Sequence, residues 1–150
     1  MPASRPQRRQ KPPRTPARKP PPAAVALAGI GCDVVEVDRL RRELARPDGG
    51  FRDDVFTPSE IAYCAGKRWP ERHFAARFAA KEALLKALGT GARRWSAWRE
   101  VEVVRDGAGA PSLTLHGRVH RRSADLGVRR VRVSLAHTAT VAMASVVLET

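Results

Sequence analysis

Cysteine is scarce in this chain, aromatic residues are few, and no long apolar run occurs. Cys32 and Cys64 lie far apart with no CxxC pair, which gives neither a disulfide framework nor a zinc-site spacing. Free thiols fit a reducing cytoplasm, the expected compartment. Aromatics make up 5% of the 150 residues against 43% hydrophobic residues overall, so a core must be assembled from valine, leucine and alanine. The longest apolar run, residues 23–30, is far short of a bilayer span, so a soluble protein with no membrane partner is expected.

Acidic residues are missing altogether from residues 1–24, which hold seven Lys or Arg and eight of the twelve prolines. Prolines at this density break any helix and leave no apolar face to bury, so the stretch reads as a disordered basic tail. The same prolines forbid the amphipathic helix of a transit peptide, and no secretory hydrophobic core is present. Residues 25–150 then form one domain. The formal charge of +13 suggests a polyanion partner at first sight, but it is unevenly placed. Of 28 basic residues, 21 remain outside the tail against 15 acidic ones, leaving +6 on the body. That surface suits an acidic protein or a phosphorylated cofactor. A nucleic-acid-binding protein is the rival reading, although the body lacks the aromatic platform or motif such a module uses.

Residues 25–31, VALAGIG, read as a buried strand ended by glycine, with a helix from about residue 35 to 45 that closes at Pro47, Gly49 and Gly50. Thr57 with Pro58 supplies a helix start, and a short helix runs to about Cys64. A longer helix is expected over residues 71–88, where Phe74, Phe78, Leu85 and Leu88 share one stripe at helical spacing. Glu82 sits at the edge of that stripe and Lys86 beyond it. Lys81 falls near its centre, where an ammonium must snorkel or meet an anion. Gly89-Thr90-Gly91 ends the helix. Residues 100–104 and 112–115 read as a hairpin, 116–126 as a short helix, and 129–135 with 141–148 as a final strand pair, with His137 in the turn between them. Hairpin-connected strands without strict βαβ alternation make the fold class α+β.

Taken singly, the charged residues have plain explanations. Asp33 after a glycine-ended strand is a common helix N-cap, and Glu82 with Lys86 is an ordinary i, i+4 pair. Jointly they form a pattern: GIGCDVVEVDRL at residues 29–40, RFAAKEALLKALGTG at 77–91 and VSLAHTATVAMASVVLE at 133–149. These stretches resemble the holo-acyl-carrier-protein synthases, small trimeric phosphopantetheinyl transferases. The resemblance implies an antiparallel sheet packed against helices, active sites between subunits of a homotrimer, and transfer of 4′-phosphopantetheine from coenzyme A to a serine of an acyl carrier protein with magnesium. It further implies that Asp33 and Glu82 bind the metal, that Lys86 contacts the phosphate end of the cofactor, and that Glu82 takes the serine's proton. His137 would touch coenzyme A, and Arg39, on a basic first helix with Arg41 and Arg42, would dock the carrier. A solvated turn and a solvated helix face are the plain alternatives for these last two. Lys81 matches the motif in either a supporting or a direct role, and His73, His116 and His120 read as structural or solvated. The loop over residues 91–100, with two tryptophans and three arginines, departs from the family pattern.

Overall fold

The computed structural model describes residues 25–47, 49–90 and 95–150; the basic tail lies outside them. The chain builds β1 (Leu27–Glu36), α1 (Val37–Leu44), α2 (Gly50–Val55), α3 (Pro58–Ala65) and α4 (Pro70–Ala87). A 3₁₀ turn (Trp95–Glu100), β2 (Val101–Arg105), β3 (Pro111–Leu115), α5 (Gly117–Asp125), β4 (Arg130–His137) and β5 (Val141–Glu149) follow. One antiparallel sheet has the order β1-β5-β4, and β2 and β3 form a separate hairpin. The α+β class with antiparallel sheets against helices holds.

α4 is the centre of the molecule. Pro70 opens it at the first helical position, where the missing N–H costs nothing. Gly89 closes it at φ 66°, its N–H donating to the Lys86 carbonyl at 3.0 Å while the Thr90 N–H reaches the Leu85 carbonyl at 3.1 Å. The expected single apolar stripe proves too narrow. Phe74, Leu85 and Leu88 are buried, but so are Ala75, Ala76, Ala79, Ala80 and Ala83, because the sheet covers one flank and the other helices the rest. The alanines are small enough to admit neighbours on every side.

Two glycines explain how closely the sheet approaches. A Cβ on Gly29 would lie 2.2 Å from the Ala87 carbonyl oxygen, and one on Gly31 only 1.9 Å from that of Ala83. Two strand residues advance about 6.7 Å and one four-residue helical step about 6 Å, so successive glycines of β1 meet successive turns of α4. These glycines therefore do not end the strand, as the sequence suggests. β1 runs through them to Glu36, pairing with β5 along its length, and the following helix starts at Val37.

Side chains alternate across this sheet. Gly31, Asp33 and Val35 share the α4 face with Ala142, Ala144 and Val146, whereas Ile30, Cys32 and Val34 share the opposite face with Met143 and Ser145. Both cysteines are free, Cys32 exposed and Cys64 buried.

Candidate active site

Asp33 lies inside β1, opposite Ala144, and is not the N-cap of the next helix; that place belongs to Glu36. The pairing with β5 fixes the backbone of Asp33 and turns its side chain toward α4. There Lys86 meets it: the ammonium donates to Asp33 Oδ1 at 2.7 Å and to the Cys32 carbonyl at 3.1 Å. The lysine therefore reaches across to the strand and not back to Glu82, its i, i+4 neighbour. The hydrogen bond with Asp33 raises the Lys86 pKa above its ordinary value; burial opposes that shift, and the charges of Asp33 and Glu82 add to it. Lys86 is an ammonium at neutral pH.

Glu82 stands one turn before Lys86 on α4, half-buried. Its Oε1 accepts a hydrogen bond from the indole N–H of Trp98, a residue in the loop that departs from the family pattern. Sequence reasoning missed this contact because nothing in a lone tryptophan 16 positions away marks a partner. Residues 91–94 of that loop lie outside the described residues.

Lys81 resolves its sequence dilemma by meeting an anion. Its Nζ donates to Glu60 Oε2 at 2.7 Å and to the Trp98 carbonyl at 3.0 Å, with a further bond to the Val101 carbonyl. Both members of the Lys81–Glu60 pair are wholly buried. Glu60 also closes the capping box of α3 with Thr57 and accepts from the Val103 N–H at 3.0 Å. Burial pushes the Lys81 pKa down, and Glu60 opposes that shift.

His137 is the last residue of β4 and not part of the turn; it pairs with Ala142. It shares the α4 face of the sheet with Asp33, two strands away (about 10 Å) and one same-face step along (about 7 Å). Its ring packs against His73 at 5.3 Å between centroids, and Tyr63 lies 6.0 Å from His73 on another side. Burial first, then the His137 ring and nearby cations, lower the His73 pKa. The buried Arg77 guanidinium lies 4.0 Å over the Tyr63 ring. Arg39 is exposed on α1, as are Arg41 and Arg42. Arg41 pairs with Asp38, which leaves Arg39 and Arg42, one turn apart, without an ion pair among the described residues.

Among the described residues no helix is long and apolar enough to cross a membrane. Nor do three or more His, Cys, Asp or Glu side chains gather as a metal cage. What the fold brings together is smaller: a strand carboxylate, a helix ammonium and a second carboxylate on the same helix.

Residues 29–142 match the 4′-phosphopantetheinyl transferase superfamily. The holo-[acyl-carrier-protein] synthase of Geobacter sulfurreducens is 46% identical over 123 residues, which cover 82% of this chain and 98% of that protein. The crystal structure of the holo-[acyl-carrier-protein] synthase from Neisseria meningitidis superimposes with a TM-score of 0.75 at 30% identity, covering 83% of this chain and 100% of that one. The Helicobacter pylori enzyme in complex with coenzyme A gives 0.69 at 28% identity, covering 79% of this chain and 98% of that one. With a match across nearly the whole described fold, this chain belongs to the holo-[acyl-carrier-protein] synthases of the 4′-phosphopantetheinyl transferase superfamily.

Proposed function

We propose that this protein transfers the 4′-phosphopantetheine group of coenzyme A to a serine of an apo acyl carrier protein and releases adenosine 3′,5′-bisphosphate. The observation that carries the reading is the meeting of Asp33 with Lys86 at 2.7 Å, on a helix that presents Glu82 one turn earlier. The family assignment gives no support to the nucleic-acid alternative.

The donor set fits magnesium. Asp33 and Glu82 offer hard carboxylate oxygens, and the Cys32 sulfur faces the other side of the sheet, toward Ser145. Two protein carboxylates with the rest of the sphere left to water and substrate phosphate is the arrangement magnesium commonly takes. When bound, the ion would neutralise charge on the pyrophosphate. Asp33 and Glu82 would hold it. Lys86, a permanent cation at neutral pH, would face the phosphate oxygens, where a fixed positive charge favours the more anionic transition state. The attacking serine must lose its proton to a base within hydrogen-bond reach, and Glu82 is the carboxylate available for that work. The bond between the pantetheine-side phosphorus and the bridging oxygen breaks as the serine oxygen attaches, and the bisphosphate leaves with the electron pair.

His137, packed against His73 near the cations Arg77, Lys67 and Arg105, would lie along an edge suited to an anionic end of coenzyme A. Arg39, with Arg42 beside it, would meet the acidic surface of the carrier. The exposed Ile30, Val34 and Met143 form an apolar strip on the outer face of the sheet. That strip supports burial against further copies of the chain in a homotrimer, working in the cytoplasm. Light scattering on the purified protein tests the trimer, and a monomeric mass would exclude it.

The decisive test combines the protein with coenzyme A, magnesium and an apo carrier, followed by intact-mass measurement of the carrier. A gain of one phosphopantetheine group is expected; an unmodified carrier, where a known synthase succeeds, would remove the proposal. Asp33→Ala and Glu82→Ala should each abolish magnesium-dependent turnover with the fold intact.

A further inference from the structure

We propose that Trp98 is a positioning residue for Glu82: its indole N–H holds one carboxylate oxygen, so that the other is presented to the cation shared with Asp33. The inference rests on the role given to Glu82 above. An indole nitrogen only donates hydrogen bonds, so the contact to Oε1 commits that oxygen as an acceptor. The Lys86 ammonium is directed instead to Asp33 and the Cys32 carbonyl.

Trp98 is itself fixed from both ends. Its side chain is 8% exposed and stands edge-on to Phe78 at 5.3 Å and to Phe51 at 6.4 Å. Its carbonyl is held by Lys81 at 3.0 Å, and Lys81 is pinned in turn by Glu60 at 2.7 Å. A rigid chain therefore runs from the buried ion pair through the 3₁₀ turn to the catalytic carboxylate. Hydrogen bonds that orient a metal-binding group from outside are commonly worth about 10–100-fold in metal affinity or activity.

The test replaces Trp98 by Phe and, separately, by 3-benzothienylalanine, which keeps the bicyclic shape but has sulfur in place of the N–H. Magnesium affinity is measured by titration calorimetry with coenzyme A present, alongside kcat, KM for the carrier and thermal melting. If the proposal holds, the benzothienyl protein melts like the parent, binds magnesium roughly 10–100-fold more weakly, and loses turnover that added magnesium restores, while KM for the carrier stays put. Trp98→Phe follows the same course if it folds; the isosteric variant decides the matter if it does not. A benzothienyl protein with parental magnesium affinity and turnover overturns the positioning role. Glu82→Gln separates the two layers of the argument. Parental activity in that variant removes the role of Glu82 and the inference with it, whereas an inactive Glu82→Gln beside a parental benzothienyl protein removes the inference alone.

Discussion

Five residues apart on α4, two lysines each meet a carboxylate at 2.7 Å, yet the two pairs have opposite surroundings. Lys81 and Glu60 are both fully buried, while the side chains of Lys86 and Asp33 are 53% and 16% exposed. Their lysines respond in opposite directions: burial lowers the pKa of Lys81, and the hydrogen bond to Asp33 raises that of Lys86. Equal distance does not mean equal role. A buried pair has lost its water and must satisfy every remaining donor and acceptor within the protein, which Lys81 and Glu60 do through the carbonyls of Trp98 and Val101 and the N–H groups of Thr57 and Val103. A half-exposed pair can exchange its partner for a phosphate or a cation at little cost to the fold. The first pair clamps the framework, and the second leaves its ammonium open to solvent, as the proposed chemistry needs.

The contrast can be broken most forcefully at the clamp. Lys81→Ala leaves the Glu60 carboxylate buried without its cation and should cost about 3–5 kcal/mol of stability, read from denaturant unfolding. The double variant Lys81→Met with Glu60→Leu should regain only part of that loss, since no uncompensated charge is left inside but the Thr57 and Val103 N–H groups lose their acceptor; a parental melting curve for Lys81→Ala would erase the distinction between the pairs. At the exposed pair the order reverses. Lys86→Ala is expected to lower kcat by about 100–1,000-fold while changing stability by no more than about 1 kcal/mol, and a stability loss as large as that of the clamp would refute the division of labour. Arg39→Ala, outside both pairs, should raise KM for the carrier and weaken its salt dependence with kcat unchanged, because rim charges act on association more than on chemistry.

The smallest effect concerns the seam beside the clamp. Glu102 accepts hydrogen bonds from Ser59 and Thr57 and lies 3.4 Å from the His116 ring. The bond from Ser59 contributes most to lowering its pKa below the ordinary 4.5, against an opposing effect of burial. A carboxyl with a depressed folded pKa stabilises the fold fully above its unfolded value and loses that contribution as pH falls through the folded one. Melting temperature should therefore decline below pH 4.5, and Glu102→Gln should make that acid limb shallower; an unchanged limb would place the acid sensitivity elsewhere.

Much of this was legible in the chain. The Thr57 cap with Pro58, the glycine-closed α4, and the hairpin over β2 and β3 rest on local rules, because caps and turns are decided by residues a few positions apart. Asp33, Glu82 and Lys86 could be singled out because their motifs are short and contiguous. Three things were not legible. The strand through Gly29 and Gly31 is extended because β5 pairs with it from the far end of the chain. α2 forms where glycines suggested only a turn, its Phe51 packed with Phe78 and Trp98. His73 reads as an unremarkable histidine until β4 brings His137 against it.

By itself the sequence determined the α+β class, the helical frame of α4 and the family, and it singled out Asp33, Glu82 and Lys86 as candidates, since each is written in local spacing and residue chemistry. Only the tertiary structure decided which carboxylate each lysine takes. Lys81 finds Glu60 across 21 residues and Lys86 finds Asp33 across 53, and the choice depends on which elements cover each face of one helix. No spacing along the chain encodes that, because burial is a property of the packed neighbours and not of the residue.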